Sequence, residues 1–586
     1  MAARRDKRAK QVKRQEAKLP SFAARRYGVL AIFGVAVCAL VWRAIDQQIL
    51  EKDFLQSEGA DRYLDRVEMV GHRGLITDRR GEVLALSTPV DSVAANPRVL
   101  RADSHALAPL ALALDVSPDE LRQKLARYSS RRFVYLKRRM PPAEAEYVLQ
   151  VARANDLRGV HLERAYRRYY PTGEVFAHVL GFADHEDVGQ EGLELAYDGE
   201  LRGTTGSKLV LRDGRRRAVD DVENIQSPRD GKNLALSLDG RLQYIAYREL
   251  KAAVKRNRAI GGSAVLLDAR TGEVLAMVNQ PGFNPNGSRS SKNGRLRNRA
   301  ITDVFEPGST MKPFAVAAGL ELGVINANTV IDTNPGFMKV AGGRVKDHKN
   351  LKTIDLATLL GRSSNVGAAK VAMKMDRADY WQILDAFGFG QPVSTGFPAE
   401  ASGQLIFWRN WAEIDQATLS FGYGVSVSAL QLASAYGVLA NDGIRMPVSL
   451  LKLEGRPEGE RVISERTASN VRRMLETVVG EDGTAPQAAV PGYRVAGKTG
   501  TVKKLGRNGY SDDRYLAVFA GMAPASDPRL VMAVMVNEPR GTEYYGGQVA
   551  GPVFSRVMGE ALRLMNIKPD DLQRPQTHLA QLGVAR

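Results

Sequence analysis

Three short segments of this 586-residue chain carry side chains suited to nucleophilic chemistry. The first is Glu306-Pro307-Gly308-Ser309-Thr310-Met311-Lys312-Pro313. Pro307-Gly308 is a turn signal, and the apolar run from Phe314 to Leu322 predicts a helix behind it. Proline lacks the amide donor and clashes with the carbonyl four residues back, so Pro313 cannot lie deep in that helix. The helix must therefore begin close to Ser309. Its hydroxyl then sits at the donor-rich end of a helix, where a developing oxyanion is stabilised. Lys312, three residues on, shares a helical face with it. A serine hydroxyl is a weak nucleophile until a base takes its proton. A lysine serves as that base if burial and neighbouring cations lower its pKa.

The second segment is Ser363-Ser364-Asn365. Ser363 can relay a proton between a lysine and a leaving amine, and the Asn365 amide offers both a donor and an acceptor. The third is Val495-Ala496-Gly497-Lys498-Thr499-Gly500-Thr501, read as a strand beside Tyr515-Leu516-Ala517-Val518-Phe519. Lys498 adds a positive charge, Thr499 and Thr501 supply hydroxyls for a carboxylate, and Gly500 permits close approach of another backbone. Taken singly these are weak signals: Ser-x-x-Lys is expected by chance about twice in such a chain. It recurs at Ser449-Leu450-Leu451-Lys452, and Ser291-Lys292-Asn293 mimics the second segment. Ser449 lies in a strand-like run, where residues three apart point to opposite faces. Ser291 precedes Ser309, in a polar loop. What carries weight is the ordered trio, with the first serine at a helix start and the last segment on a strand.

The elements that must position this trio come from a chain of ordinary globular composition, 44% hydrophobic and 25% charged. The net charge of +18 raises a nucleic-acid reading, but residues 1–26 hold ten basic residues against Asp6 and Glu16. The remaining excess is spread thinly, with no phosphate-binding footprint. One cysteine, Cys38, rules out an intrachain disulfide, and the seven histidines show no metal-ligand spacing, so no metal or other cofactor is expected. Behind the basic tail, Tyr27 to Trp42 is apolar with Arg26 and Arg43 at its ends, which predicts a membrane helix over 27–45. The residues after it offer no small-x-small cleavage site, so an uncleaved anchor is favoured over a signal peptide. Bulky Val37 before Cys38 argues against lipidation there. The basic flank predicts an amino terminus inside and an exported remainder.

Residues 46–233 read as a scaffold without site chemistry. Gly71 to Ala85 is a strand–turn–strand, and Ser117 to Tyr128 and Pro141 to Ala152 start helices with capping and proline signals. From 234 to 566 helices and strands mix, with strands clustered at both ends, an α+β arrangement. Residues 567–586 are polar and read as a flexible tail.

Together the three segments resemble the active-serine penicillin-recognising superfamily, whose motifs are Ser-x-x-Lys, Ser-Asp-Asn and Lys-Thr-Gly. The middle box departs, with Ser364 in place of Asp, the form expected in many transpeptidases. Arg73-Gly74 through Gly81 and Gly189 through Gly203 resemble the two signatures of the amino-terminal pedestal of class B penicillin-binding proteins. Arg297 through Pro313 resembles the septal, penicillin-binding protein 3 type; elongation paralogues usually have an aromatic-Pro-Pro-Gly-Ser before the lysine. The resemblance implies a pedestal followed by a transpeptidase domain, an antiparallel sheet with a helical subdomain. It further implies a peptidoglycan D,D-transpeptidase of the inner membrane that cross-links stem peptides during division and is acylated by β-lactams. Ser309, Lys312, Ser363, Asn365 and Lys498 would be catalytic, and the amides of Ser309 and Thr501 would form the oxyanion hole. Thr499, Gly500, Thr501 and Tyr423 would bind substrate. Phe421, Tyr423, Tyr544 and Tyr545 either wall the cleft or pack the core. The family implies a polytopic glycan polymerase and other division proteins as partners. Competing readings are an elongation-type transpeptidase, a D,D-carboxypeptidase or β-lactamase, and a non-catalytic division scaffold.

Overall fold

A computed structural model describes residues 23–54, 64–69, 71–101, 106–212, 218–287, 294–506 and 509–571. The basic tail before residue 23, the decoy Ser291-Lys292-Asn293 and the chain after Asp571 lie outside the described residues. Helix α1 (Ala23–Ile45) continues through a π-helical turn at Asp46–Leu50. The apolar span covers Ala24–Leu50, longer than the 27–45 expected, and its 27 residues exceed the roughly 20 that cross a hydrocarbon layer.

The rest divides into two units. In one, residues up to Val70 together with Thr205–Pro228 form an antiparallel three-stranded sheet of Leu64–Met69, Gly206–Arg212 and Ala218–Gln226. The other holds Gly71–Thr204 and everything from Arg229. Its centre is an antiparallel sheet built from both ends of the sequence: β1 (Gly261–Asp268), β2 (Val274–Gln280), β3 (Ala496–Gly506), β4 (Gly509–Ala523) and β5 (Leu530–Asn537), in the order β2-β1-β5-β4-β3. Every residue of β1 and β2 is buried, so odd and even positions are alike covered and these strands read as continuous apolar runs. Helix α2 (Gly240–Arg256) packs on this sheet and on the last helix of the domain, and the apolar helical material between β2 and β3 packs there as well. β3 is the sheet's edge strand, which leaves one side of its backbone for something other than a neighbouring strand.

Buried side chains join the two sides of the boundary expected at residue 233. Ile76, Leu84, Tyr170, Phe176 and Leu193 belong to the same buried cluster as Leu242, Val265 and Phe519. Asp78 shows why: one carboxylate oxygen accepts from the Arg80 and Glu82 amides, closing the expected turn, while the other accepts from the Gly240 amide at the start of α2. A lobe of the part before residue 233 has a core of its own, with Val93, Leu110, Leu121, Leu136 and Val148 buried together. Here the two expected helices form at Pro118–Arg127, with a Ser117–Glu120 capping box, and at Pro142–Ala154. Between them lies an unexpected strand, Val134–Met140, paired with the long strand Val83–Ala95. At the other end, residues 567–571, expected within the flexible tail, are held to the domain. The Tyr493 hydroxyl donates to the Ile567 carbonyl at 2.6 Å, and Asp570 accepts from the Arg494 amide at 2.7 Å.

The signatures at Arg73–Gly81 and Gly189–Gly203 meet in one buried charge network. Arg73 donates to Glu194 Oε2 at 2.7 Å, to Asp198 Oδ1 at 2.6 Å and to the carbonyls of Asp187 and Glu194. Arg168 donates to Glu194 Oε1 at 2.7 Å, so both guanidinium groups share one fully buried carboxylate. Removing one partner of such a network strands the others without water. Glu194→Ala is expected to destabilise this unit by about 3–5 kcal/mol, measured by denaturant unfolding of the purified chain; a loss below about 1 kcal/mol would contradict it.

Candidate active site

The turn at Pro307-Gly308 is seated on β3 by three glycines. Gly308 has φ +57°, and a Cβ there would lie 2.4 Å from Val502 on β3. At Gly500 a Cβ would stand 2.8 Å from the Pro307 carbonyl oxygen, and at Gly422 (φ +85°) it would collide with the Gly308 backbone. The Gly308 amide donates to the Gly422 carbonyl at 3.2 Å. These contacts leave no room for a Cβ, and any side chain would force them apart.

Ser309 lies in a 3₁₀ turn, Gly308–Met311, that runs into α3 (Lys312–Glu321) with Pro313 in its first turn. The helix therefore starts where the proline requires. Two bonds fix the turn from behind: Thr310 Oγ1 donates to the Pro307 carbonyl at 2.7 Å, and Tyr436 Oη, from the helix Ala429–Ala440, donates to the Thr310 carbonyl at 2.9 Å. Phe314 then anchors α3 among Phe387, Phe389 and Tyr436, with ring centres 5.0–5.3 Å apart and edge-to-face.

Lys312 is fully buried. Its Nζ stands 3.0 Å from Ser309 Oγ, 2.9 Å from Ser363 Oγ and 2.6 Å from the Ser363 carbonyl oxygen. Ser363 has φ +63°, an uncommon conformation for a residue with a side chain, and it presents both oxygens to the same amine. The helix start directly after it holds that strain in place. Ser364 caps α4 (Asn365–Ala372), accepting from the Gly367 amide at 2.9 Å. Asp347 accepts from Ser364 Oγ at 2.7 Å and from the amides of Asn365 and Val366 at 2.5 and 3.0 Å. Asn365 Nδ2 donates to the Lys346 carbonyl at 3.0 Å.

From β3, fully buried Lys498 reaches the other side of Ser363 Oγ at 3.0 Å and lies 3.3 Å from Thr499 Oγ1. Thr499 Oγ1 is 3.0 Å from Thr484 Oγ1, and Thr501 Oγ1 accepts from the Gly546 amide at 3.0 Å, keeping its own hydrogen to donate. Burial drives the ammonium of Lys498 toward its neutral form, down to about 7. Lys312 is pushed well below the ordinary lysine range by burial first and by the charge of Lys498 second, with Asp347 opposing. Two lysines on one serine hydroxyl cannot both stay charged without water. The arrangement can hold Ser309 Oγ beside a neutral amine with a second hydroxyl in line for proton transfer.

These groups open on a cleft of about 450 Å³ lined by Ser309, Ser363, Asn365, Thr499, Thr501 and Tyr423, among others. Phe421 fits both readings offered for it, for it lines the cleft yet is buried against Val345 and Val366. Tyr545 lines the cleft, whereas Tyr544 stacks between Tyr515 and Tyr545, at 4.6 and 4.4 Å. Ser449 is far from this arrangement in kind: it is extended, bridged to Glu273, and its hydroxyl donates to the Leu451 carbonyl. Sequence reasoning missed Asp347, Thr484 and Glu306. Glu306 accepts from the Gly424 amide at 3.1 Å and from the Tyr510 hydroxyl at 2.9 Å, tying the serine turn to the cleft's aromatic side. Its position directly before Pro307-Gly308 was the one available signal; Asp347 and Thr484 lie at no recognisable spacing from their partners.

Two family models match the chain: the penicillin binding protein transpeptidase domain over residues 262–559, and the penicillin-binding protein dimerisation domain over 68–236. The peptidoglycan D,D-transpeptidase FtsI of Escherichia coli K12 is 40% identical over 567 residues, 96% of this chain and 95% of that one. The probable peptidoglycan D,D-transpeptidase PenA of Neisseria meningitidis is 39% identical over 562 residues, 95% of this chain and 96% of the other. Among solved structures, the transpeptidase domain of penicillin-binding protein 3 from Burkholderia pseudomallei is 46% identical, with a TM-score of 0.53, covering 57% of this chain and 97% of that one. Penicillin-binding protein 3 from Mycobacterium tuberculosis, solved with aztreonam, is 28% identical with a TM-score of 0.66, covering 86% and 98%. The ordered serine–lysine geometry on an α+β frame and the two-domain match over nearly the whole length agree, and the chain belongs to the penicillin-binding-protein transpeptidases of class B, the penicillin-binding protein 3 type.

Proposed function

We propose that the chain is a septal peptidoglycan D,D-transpeptidase in which Ser309 is acylated by one stem peptide and deacylated by the amine of another. The observation that carries this reading is the neutral-favouring burial of Lys312 with its Nζ 3.0 Å from Ser309 Oγ. Lys312 takes the hydroxyl proton as Oγ attacks the penultimate D-Ala carbonyl. The amides of Ser309 and Thr501 stabilise the oxyanion. As the carbonyl carbon–nitrogen bond breaks, the proton passes from Lys312 through Ser363 Oγ to the leaving D-Ala amine, along the 2.9 Å contact. The acceptor amine then attacks the ester, gives its proton back along the same path, and Ser309 leaves as the free hydroxyl. Lys498, Thr499 and Thr501 bind the terminal carboxylate, with Gly500 allowing the approach, and Asn365 orients the substrate amide. Tyr423 forms the wall beside them. β-Lactams take the same route and stop at the ester.

The same reading places α1 as a single inner-membrane anchor with the basic flank cytoplasmic and the catalytic unit outside, in keeping with the positive-inside rule. Residues 46–233 form the pedestal and 234–566 the catalytic domain. A membrane-embedded glycan polymerase and other division proteins are the partners this role requires, because cross-links form only where new glycan is made.

Three measurements test this. Ser309→Ala is expected to abolish covalent capture of a fluorescent penicillin by the purified chain; undiminished labelling would sink the assignment. The pH profile of kcat/KM for acylation, which reports the free enzyme, is expected to be bell-shaped. Rate rises with pH as Lys312 becomes neutral, then falls near pH 7 as Lys498 loses the charge that holds the carboxylate. A rate still climbing steeply at pH 9 would remove the charged role from Lys498. Depletion of the chain in growing cells is expected to give filaments, and round cells instead would mark an elongation enzyme.

A further inference from the structure

The charge lining the cleft is one-sided. Among the described residues that line it none is Asp or Glu; Arg362 is the permanently charged side chain that lines it directly, with the His348 imidazole also on the lining. Both stand on the Ser363–Asn365 wall, across from the β3 wall where Lys498 waits behind Thr499. The terminal carboxylate of the donor, assigned to the β3 side, leaves this second cationic wall without a use. Arg362 directly precedes Ser363, at the carboxyl-terminal end of the helix Leu356–Gly361, so its backbone is tied to the strained serine. Its Nη2 donates to Asp482 Oδ1 at 3.0 Å. Asp482 is 94% exposed and Arg362 about half exposed, so water screens the pair and the guanidinium is aimed without being neutralised. Asp482 sits two residues before Thr484, itself a lining residue bonded to Thr499, so the pair links the two walls at one end of the cleft.

We propose that Arg362 is a second carboxylate-recognition point of the cleft, taking a carboxylate of a stem peptide other than the terminal one, either by sharing Arg362 with Asp482 or by displacing Asp482 into solvent. A planar guanidinium with several donors suits two acceptors at once, which a lysine does not. His348 lies on the same wall and adds a further polar contact to that end of the ligand. The role is selection among stem peptides, and Arg362 is a binding residue that takes no part in the proton path. This inference rests on the proposed transpeptidase function.

The test uses the full chain in detergent micelles with synthetic donor and acceptor stem peptides, each made with its internal carboxylates free or converted to carboxamides. Cross-linked product is followed by mass spectrometry, and labelling by fluorescent penicillin is read alongside. With the native chain, amidation of the recognised carboxylate is expected to lower kcat/KM about tenfold, the scale of one charge-assisted hydrogen bond. The arm that responds, donor or acceptor, identifies its source. Arg362→Gln is expected to lose that discrimination, treating acid and amide peptides within about twofold of each other, and Arg362→Lys to keep part of it. Equal discrimination by the native chain and Arg362→Gln, or none by the native chain on either arm, would overturn the proposal. Absent penicillin labelling of the native chain would instead count against the transpeptidase reading itself.

Discussion

Everything in the catalytic unit is arranged around two buried amines that share one hydroxyl. Lys312 and Lys498 approach Ser363 Oγ at 2.9 and 3.0 Å, and neither is exposed to solvent. Burying one ammonium is costly, and burying two side by side more so, unless a proton leaves. The fold therefore does chemical work before any substrate arrives: by excluding water it pushes the Lys312 amine toward its neutral form next to Ser309. The apolar helix α3, the aromatic ring cluster behind it and the sealed sheet all serve that exclusion. Their apolar burial offsets the polar cost, which a smaller or looser core could not do.

The second constraint is that a rigid helix start must lie flat against a sheet edge. Gly308, Gly422 and Gly500 bring no Cβ of their own to that contact, and Tyr436 and Thr310 lock the turn from the rear. On the opposite wall, Asp347 performs the corresponding service for Ser363 and Asn365 by gathering one hydroxyl and two helix-terminal amides. Both walls thus depend on groups that never meet the substrate. Ser309 Oγ and Lys312 Nζ are 3.0 Å apart; on the proposed mechanism small displacements at that range would cost rate steeply.

What the sequence disclosed depends on how local each signal is. Ser309 was legible because proline and glycine act on their immediate neighbours, so the helix start could be placed to within a residue or so. β3 and β4 were legible, the first at its Lys-Thr-Gly segment and the second as the apolar run Tyr515–Phe519, and the antiparallel pairing of Lys498 with Ala520 and Thr499 with Phe519 agrees with the expected partner strand. Asp347 and Thr484 were not legible, since each acts on residues 15 or more positions away with no periodic pattern between them. Strand Val134–Met140 was hidden by Lys137, Arg138 and Arg139, whose charges read as solvated surface although Val134, Leu136 and Met140 turn inward. Packing across residue 233 was not legible either: composition changes there, while Asp78, Arg79 and Gln243 join the two sides through contacts distant in sequence.

The glycine contact under Ser309 also bears on how such a protein can evolve away from an inhibitor. On the proposed mechanism a β-lactam would need the same serine, the same turn and the same edge strand as the natural substrate. At Gly308, Gly422 and Gly500 an added side chain would enter occupied space and push the Ser309 turn off its seat. Cleft-lining positions such as Tyr545 and Gln548 are exposed and lie outside that contact. On the proposed mechanism, the packing that holds the serine in place would therefore direct mutational escape to the periphery.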